Sequence, residues 1–101
     1  MIQQLVLKDR DFDKISDYCK RRKIDFLLSA FDIISLNKLS RWDQPYCKIA
    51  SGEITNFPFL REVAKIQKPI ILSTGMSDIF EVEEAIKELL CYGATKKNLT
   101  I

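Results

Sequence analysis

A strict alternation of short apolar segments with amphipathic segments constrains this fold more than any other feature. After an apolar lead-in at residues 1–7, residues 24–28, 46–50 and 70–72 read as buried strands, and residues 99–101 as the start of another. Segments with helical spacing separate them. Strands that recur every ~20–30 residues with helices between them predict right-handed βαβ units and a parallel sheet, so the predicted fold class is α/β.

Two architectures share this alternation, a doubly wound open sheet and a (β/α)₈ barrel. A complete barrel needs roughly 200 residues or more, whereas this chain has 101 residues. The residues alone therefore leave two possibilities open, a small open sheet or part of a barrel.

Capping residues predict where the helices begin. Asp9 or Asp11 is suited to cap the first helix, because a short acidic side chain can accept a hydrogen bond from a free N–H of the first turn. Asp32 is suited to cap a second, short helix in the same way. The further signals are Asn56 with Pro58 for the third helix, Asp78 with Glu81 for the fourth, and Gly93 for the end of the fourth.

Apolar residues at helical spacing predict which helix faces enter the core. The third helix has such a face at Phe57, Leu60, Val63 and Ala64. The fourth helix has the clearest stripe of the chain, at Ile79, Val82, Ala85, Ile86, Leu89 and Leu90.

The composition excludes several classes of protein. Apolar residues make up 47% and charged residues 30%, and a net charge of +2 is too small to indicate a nucleic acid or a membrane as partner. No apolar run is long enough to span a bilayer, and from residues 1–4 we expect no signal peptide. Cys19, Cys47 and Cys91 match no disulfide framework or zinc motif, so we expect free thiols in a reducing cytoplasm. The chain has no histidine, the commonest transition-metal ligand and general base.

Polar groups concentrate at residues 46–56, where a predicted strand meets its loop. Lys48, Ser51, Gly52 and Glu53 place an ammonium, a hydroxyl, a bare backbone and a carboxylate within six residues. In parallel α/β proteins, ligands bind at the carboxyl ends of the strands, which makes these side chains candidates for a binding site. The alternative is that Lys48 is a solvated lysine of an edge strand and Glu53 a surface charge.

Each predicted strand ends in small hydroxyl residues. They are Ser29, then Ser51, then Ser73 with Thr74 and Gly75. Hydroxyls and free N–H groups at helix N-termini suit a phosphate or a carboxylate, so the three loops together predict one shared anionic ligand. Taken alone, the loop at residues 73–75 also fits a plain turn from strand to helix. No Walker-type lysine follows Gly75, which argues against a nucleotide P-loop.

Two long motifs carry a resemblance to a known family. Residues 48–56 read Lys-Ile-Ala-Ser-Gly-Glu-Ile-Thr-Asn, and residues 69–76 read Pro-Ile-Ile-Leu-Ser-Thr-Gly-Met. With the preceding helix and residues 28–32, they closely resemble the sialic acid synthase family over nearly the whole chain. Residues 28–32 read Leu-Ser-Ala-Phe-Asp where the family has Ser-Thr-Pro-Phe-Asp. The missing proline is expected to loosen that turn.

The resemblance implies both a fold and an activity. The family is a (β/α)₈ barrel, usually followed by a small antifreeze-like domain, and it works as a homodimer. Residues 1–101 would be one partial barrel, spanning roughly strands three to five and the start of strand six, without the antifreeze-like domain. The activity implied is the condensation of phosphoenolpyruvate with an N-acetylated sugar, such as N-acetylmannosamine or a related hexosamine, to a nonulosonic acid and phosphate.

The resemblance also implies roles for five residues. Lys48, Ser51 and Ser73 match residues that hold the phosphate and the carboxylate of phosphoenolpyruvate. Glu53 matches a catalytic carboxylate near the reacting centre, and Ser29 matches a hydroxyl that faces the substrates. The family's divalent metal, manganese or magnesium, is bound by histidines on later strands, so we expect no metal ligand in this chain.

One other interpretation stays open. In it, the 101 residues as they stand are a non-catalytic remnant that binds an anion at most or pairs with complementary barrel pieces. We expect the isolated chain to be inactive, because an opened barrel exposes edge strands and apolar faces meant for neighbours. A small open-sheet domain of the response-regulator kind would need a cluster of aspartates at the first strand end, where Asp32 stands alone.

Overall fold

The structure is a computed structural model that describes residues 6–101, so most of the predicted lead-in at residues 1–7 lies outside the described residues. No helix in the described part combines the length and the apolar character needed to cross a membrane. The helices are α1 (Asp9–Arg22), α2 (Ile33–Lys38), α3 (Phe57–Ile66) and α4 (Ile79–Cys91). The strands are β1 (Cys47–Ile49), β2 (Ile70–Leu72) and β3 (Leu99–Thr100). Short 3₁₀ turns occupy Leu39–Arg41, Ser51–Glu53 and Lys96–Asn98.

The three strands form one parallel sheet in the order β1-β2-β3. Lys48 pairs with Ile71, and Ile71 pairs with Thr100. Helices α3 and α4 connect successive strands, since a parallel pair needs a crossover rather than a hairpin. The predicted α/β class with parallel strands is confirmed.

The predicted strand at residues 24–28 is not formed. The residue directly after this segment, Ser29, pairs with Lys48 of β1 in an isolated parallel bridge. The backbone N–H of Leu28 donates to the side-chain Oε1 of Gln44, whose side chain is buried. The Leu28 N–H, which would pair with a neighbouring strand in a sheet, therefore donates to a side chain instead, and residues 24–28 form no strand.

The caps agree with the prediction at α2 but not at α1. Lys8 stands at the N-cap of α1, and Asp9 and Asp11 lie inside its first turn, so the prediction that one of them caps is wrong. Asp11 instead reaches back and accepts the Lys8 N–H at 2.8 Å, as the third residue of a capping box does. Asp32 caps α2 as predicted and accepts the Ser35 N–H at 2.6 Å.

The remaining helix boundaries follow the predicted signals. Asn56 caps α3. Asp78 and Glu81 form a reciprocal capping box at α4, with N···O distances of 2.8 and 3.1 Å. Gly93 follows α4 with φ of 135°, and a Cβ there would lie 2.9 Å from the carbonyl oxygen of Ala64. Both facts require glycine at this position.

The core lies between α3, α4 and one face of the sheet. Its fully buried members include Ile49, Phe59, Leu60, Val63, Ala64, Ala85 and Leu89. Phe59 is an addition to the predicted inner face of α3. Ile79, predicted to be part of the stripe of α4, is 65% exposed. A helix of 13 residues is about 20 Å long, whereas a three-residue strand covers about 10 Å, so the first turn of α4 extends past the sheet.

Candidate functional site

The position of Lys48 follows from the alternation along β1. Its neighbours Cys47 and Ile49 are 8% and 0% exposed and belong to the core. Successive side chains of a strand point to opposite faces, so Lys48 points away from α3 and α4. Its side chain is half-buried on that second face, which keeps the stem against the sheet while the ammonium reaches the strand end.

The Lys48 ammonium joins the ends of two strands. Its Nζ donates to the Ser73 Oγ at 2.7 Å and to the Ile49 carbonyl oxygen at 3.2 Å. The Ser73 N–H in turn donates to the Ile49 oxygen at 3.1 Å. Within residues 6–101, no carboxylate lies within 4.0 Å of the Lys48 Nζ. A half-buried ammonium that has only neutral partners is suited to an anionic ligand.

Ser51 brings the loop after β1 against the loop after β2. It begins the 3₁₀ turn Ser51–Glu53. An added Cβ at Gly75 would lie 3.5 Å from the Ser51 Oγ, an ordinary van der Waals contact. The hydroxyls of Ser51 and Ser73 therefore belong to two loops that touch at one edge of the sheet.

Glu53 is held by a residue of its own turn. Its Oε2 accepts from the Asn56 Nδ2 at 2.8 Å. The Asn56 Oδ1 accepts from the Phe59 N–H at 3.4 Å. No hydrogen bond or ion pair joins Glu53 to Lys48 in the part of the chain that the structure describes. The Glu53 carboxylate is thus on the same loop as Ser51, and its orientation is set by the hydrogen bond from Asn56.

Ser29 reaches the same edge by its pairing with β1. The parallel bridge to Lys48 places it beside that strand, and its side chain is exposed. Asp32 follows three residues later, and hydrogen bonds from the Ser35 backbone N–H and hydroxyl lower the pKa of its carboxyl. An ionised Asp32 therefore keeps α2 capped just beyond Ser29.

The structure brings the predicted residues together to different degrees. Lys48 and Ser73 are in direct contact, Ser51 abuts the loop of Ser73, and Ser29 is adjacent by strand pairing. Glu53 shares the edge but contacts Asn56, to which sequence reasoning assigned only a capping role. The separation of three residues between Glu53 and Asn56 was the signal available in the sequence, because side chains so spaced can meet on one turn. The substrate roles of all five residues stay predictions.

The donor set does not fit a metal ion. Among residues 6–101, no three His, Cys, Asp or Glu side chains lie close enough together to hold one. The chemistry that this chain can supply at the strand ends is that of an ammonium, hydroxyls and a carboxylate. These groups can neutralise an anion, donate hydrogen bonds to it and exchange a proton.

An apolar cavity of about 280 Å³ lies at the opposite, amino-terminal end of β1. Its lining includes Leu36, Leu39, Tyr46 and Cys47. Burial raises the pKa of the Cys47 thiol, and the charge of Lys68 opposes that rise only in part. A protonated, buried thiol is unreactive. The candidate residues Lys48, Ser51 and Ser73 lie at the carboxyl ends of the strands, away from this cavity.

The sequence is similar to that of a legionaminic acid synthase. A family model described as the NeuB family matches residues 1–101. The N,N'-diacetyllegionaminic acid synthase of Campylobacter jejuni is 41% identical over 101 residues, which are 100% of this chain and 30% of that relative. The chain thus spans less than a third of the length of that relative.

Solved structures agree with the sequence comparison. The spore coat polysaccharide biosynthesis protein spsE of Bacillus subtilis matches with a TM-score of 0.85 and 28% identity, over 98% of this chain and 28% of that one. The N-acetylneuraminic acid synthetase of Leptospira borgpetersenii, solved with citrate, matches with a TM-score of 0.79 and 27% identity, over 85% of this chain and 30% of that one. The match of the family model to all 101 residues, together with these likenesses, shows that the chain belongs to the NeuB family.

Proposed function

We propose that this chain supplies the phosphoenolpyruvate-binding strand ends of a sialic-acid-type synthase. The enzyme would condense phosphoenolpyruvate with an N-acetylated sugar, N-acetylmannosamine or a related hexosamine, consume one water molecule, and release a nonulosonic acid and phosphate. The observation that carries the proposal is the 2.7 Å contact between the Lys48 ammonium and the Ser73 hydroxyl. This pair lies at the carboxyl ends of two parallel strands, where α/β enzymes bind their ligands.

Lys48, Ser51 and Ser73 would hold the two anionic groups of phosphoenolpyruvate. The ammonium balances negative charge, and each hydroxyl can rotate to donate to an oxygen of the phosphate or the carboxylate. Charge-assisted hydrogen bonds are the strongest available to such a ligand. Anchored at both groups, the ligand presents its reactive carbon in one orientation to the second substrate, which removes much of the entropic barrier to bond formation.

Glu53 and Ser29 would act on the sugar side. The Glu53 side chain can accept hydrogen bonds from sugar hydroxyls or take and return a proton during the condensation. Ser29, exposed beside Lys48, would face the substrates with its hydroxyl. We therefore assign the catalytic role in this chain to Glu53.

The same proposal includes the rest of the enzyme. We place residues 1–101 in strands three to five and the start of strand six of a (β/α)₈ barrel that acts as a cytoplasmic homodimer and precedes an antifreeze-like domain. Support comes from the match of this chain to 28% and 30% of two longer solved chains. Manganese or magnesium would be held mainly by residues outside this chain, since no cluster of three His, Cys, Asp or Glu side chains occurs among the described residues.

A second candidate function is favoured by the uncovered face of the sheet. Ile71 is half-buried and Thr100 is exposed, although parallel sheets are normally covered on both faces. A chain with such a face can act as a non-catalytic piece that binds an anion or pairs with complementary barrel pieces. Both candidates predict anion binding at Lys48, and only the first predicts that product forms when this chain is joined to the rest of a synthase.

Calorimetry with phosphoenolpyruvate tests the proposal on the full chain. Lys48→Ala is expected to weaken binding about ten- to a hundredfold, because a hydrogen bond to a charged group contributes about 1.5–3 kcal/mol. Lys65→Ala is the matched control, since Lys65 is an exposed lysine of α3 paired with Glu62 at 3.1 Å. It removes the same charge and should bind as the wild type does.

Circular dichroism of all three proteins checks that the fold is retained. Equal affinity of the wild type and Lys48→Ala would refute the anion site. Where binding depends on Lys48, the chain is placed in a complete synthase of its family in exchange for the matching segment, and an assay for nonulosonic acid from phosphoenolpyruvate and N-acetylmannosamine separates the two candidates. Product supports the synthase, and binding without product supports the anion-binding piece.

A further inference from the structure

Asn56 uses both ends of its side-chain amide. The Oδ1 accepts from the Phe59 N–H at 3.4 Å and caps α3. The Nδ2 donates to the Glu53 Oε2 at 2.8 Å, and the Asn56 backbone N–H donates to the Glu53 carbonyl oxygen at 3.0 Å. One residue therefore ties the carboxylate of the candidate site to the start of a helix.

That helix is a rigid anchor. Its inner residues Phe59, Leu60, Val63 and Ala64 are between 0% and 1% exposed. Close packing of this kind leaves little freedom for displacement. Glu53, by contrast, lies in a 3₁₀ turn, and in the described part of the chain its carboxylate takes part in no ion pair. The hydrogen bond from Asn56 thus restricts the motion of the Glu53 carboxylate by linking it to the well-packed helix α3.

We propose that Asn56 is a positioning residue that holds the Glu53 carboxylate in one orientation for the sugar substrate. The functional part of this inference rests on the proposed role of Glu53. Capping alone does not require asparagine, because aspartate and serine cap helices about as well. Only asparagine among these offers an acceptor to α3 and a separate N–H donor to a carboxylate.

Asn56→Asp separates the two roles. The aspartate has the same size and still accepts from the Phe59 N–H, but it replaces the donor to Glu53 with a carboxylate oxygen. Asn37→Asp is the matched control, since Asn37 is exposed on α2 and lies outside the candidate site. Asn37→Asp should melt close to the temperature of the wild type. Asn56→Asp keeps its cap and stays folded, but it should melt slightly lower, because its carboxylate lies beside that of Glu53.

Two readouts distinguish positioning from capping. The first is the set of three-bond NMR couplings about χ1 of Glu53, which should report one rotamer in the wild type and in Asn37→Asp, and averaged rotamers in Asn56→Asp. The second is the condensation rate with N-acetylmannosamine, measured with each variant placed in a complete synthase of the family. Asn56→Asp should lower kcat about tenfold or more, with the KM for phosphoenolpyruvate within about threefold, since Lys48 and Ser73 are unaffected.

The outcomes separate this inference from the proposed function. A single Glu53 rotamer in Asn56→Asp would overturn the inference whatever the activity. Averaged rotamers with an unchanged kcat would overturn it as well, because the orientation would then have no consequence for the reaction. A wild type that neither binds phosphoenolpyruvate nor forms product would refute the proposed function, while the rotamer comparison would still decide whether Asn56 positions Glu53.

Discussion

The two faces of the small sheet are built from opposite kinds of residue. On one face, Cys47, Ile49, Ile70 and Leu72 are at most 8% exposed and pack in the core with α3 and α4. On the other face, the paired residues Lys48, Ile71 and Thr100 are half-buried or exposed and lie outside that core. We call the first the helix-packed face and the second the open face. The two are separated by the thickness of a single sheet.

The difference shows how one sheet divides stability and chemistry. The helix-packed face gains its free energy from apolar area removed from water and has no need of polar groups. The open face places Lys48 next to the strand ends, where its ammonium meets Ser73 at 2.7 Å. A parallel sheet usually has both faces covered, so the open face is also where this chain would meet a ligand or further protein.

The largest expected effect compares the stability contributed by the core beneath the helix-packed face, to which Leu89 of α4 belongs, with that contributed by the open face. Leu89→Ala, at a residue 0% exposed, should cost about 2–5 kcal/mol through lost burial and the cavity that remains. Ile71→Ala on the open face should cost less than about 1.5 kcal/mol, since less area is buried there. Urea unfolding followed by circular dichroism measures both.

Equal losses in Leu89→Ala and Ile71→Ala would show that the open face contributes to the core of the chain in solution. Such a result would break the comparison, and it would point to association of copies through that face. Repeating the unfolding at two protein concentrations detects association, because a dimer gains apparent stability with concentration.

The strands that were predicted correctly are those with local stop signals on both sides. Strand β2 matches the predicted residues 70–72, because Pro69 precedes them and small polar residues follow. The failed strand at residues 24–28 depends on the hydrogen bond from Leu28 to Gln44, 16 positions away. A pairing over that distance leaves no local pattern.

The sequence predicted which residues belong to the candidate site but not which of them are in contact. The carboxyl ends of adjacent parallel strands meet at one edge, so Lys48 and Ser73 were expected to be neighbours although 25 positions separate them. Their direct contact depends on the register of β1 with β2, which the apolar pattern of three-residue strands does not determine. The bond from Asn56 to Glu53 lies within one turn, but the sequence pattern indicated only the capping acceptor of the Asn56 amide and not its donor to Glu53.

A smaller effect concerns how the segments outside the core are held. Asp32 caps α2 from an exposed position, and hydrogen bonds from Ser35 lower the pKa of its carboxyl. A carboxyl whose pKa is lower in the folded state contributes stability above its unfolded pKa of about 3.9, and that contribution is lost as the pH falls through the folded pKa. The wild type should therefore be more stable than Asp32→Asn at neutral pH, and the difference should shrink to zero in acid.

The difference between the two unfolding curves isolates Asp32, because every other carboxyl titrates in both proteins. Thermal unfolding at a series of pH values between about 2 and 7 covers the window of carboxyl titration. A difference that is constant over this range would mean that the ionised form of Asp32 has no advantage in the folded state. The cap would then rest on geometry alone.

The smallest effect on stability is expected at Gly52, in the 3₁₀ turn between Ser51 and Glu53. Its φ lies outside the left-handed region, and an added Cβ would have nothing within 4 Å, whereas Gly93 has both a positive φ and a clash with Ala64. Gly52→Ala should therefore keep the stability or raise it by up to about 1 kcal/mol, since alanine restricts the unfolded chain.

The same variant tests whether the open edge serves a ligand. No residue in the described part of the chain lies where the new methyl group would stand, so a loss of phosphoenolpyruvate affinity without a loss of stability must come from the ligand. Calorimetry and urea unfolding of one Gly52→Ala sample measure both quantities. Unchanged affinity for phosphoenolpyruvate would place the anion nearer to Lys48 and Ser73 than to the turn. Reduced stability would contradict the expectation that the added methyl group meets no other residue.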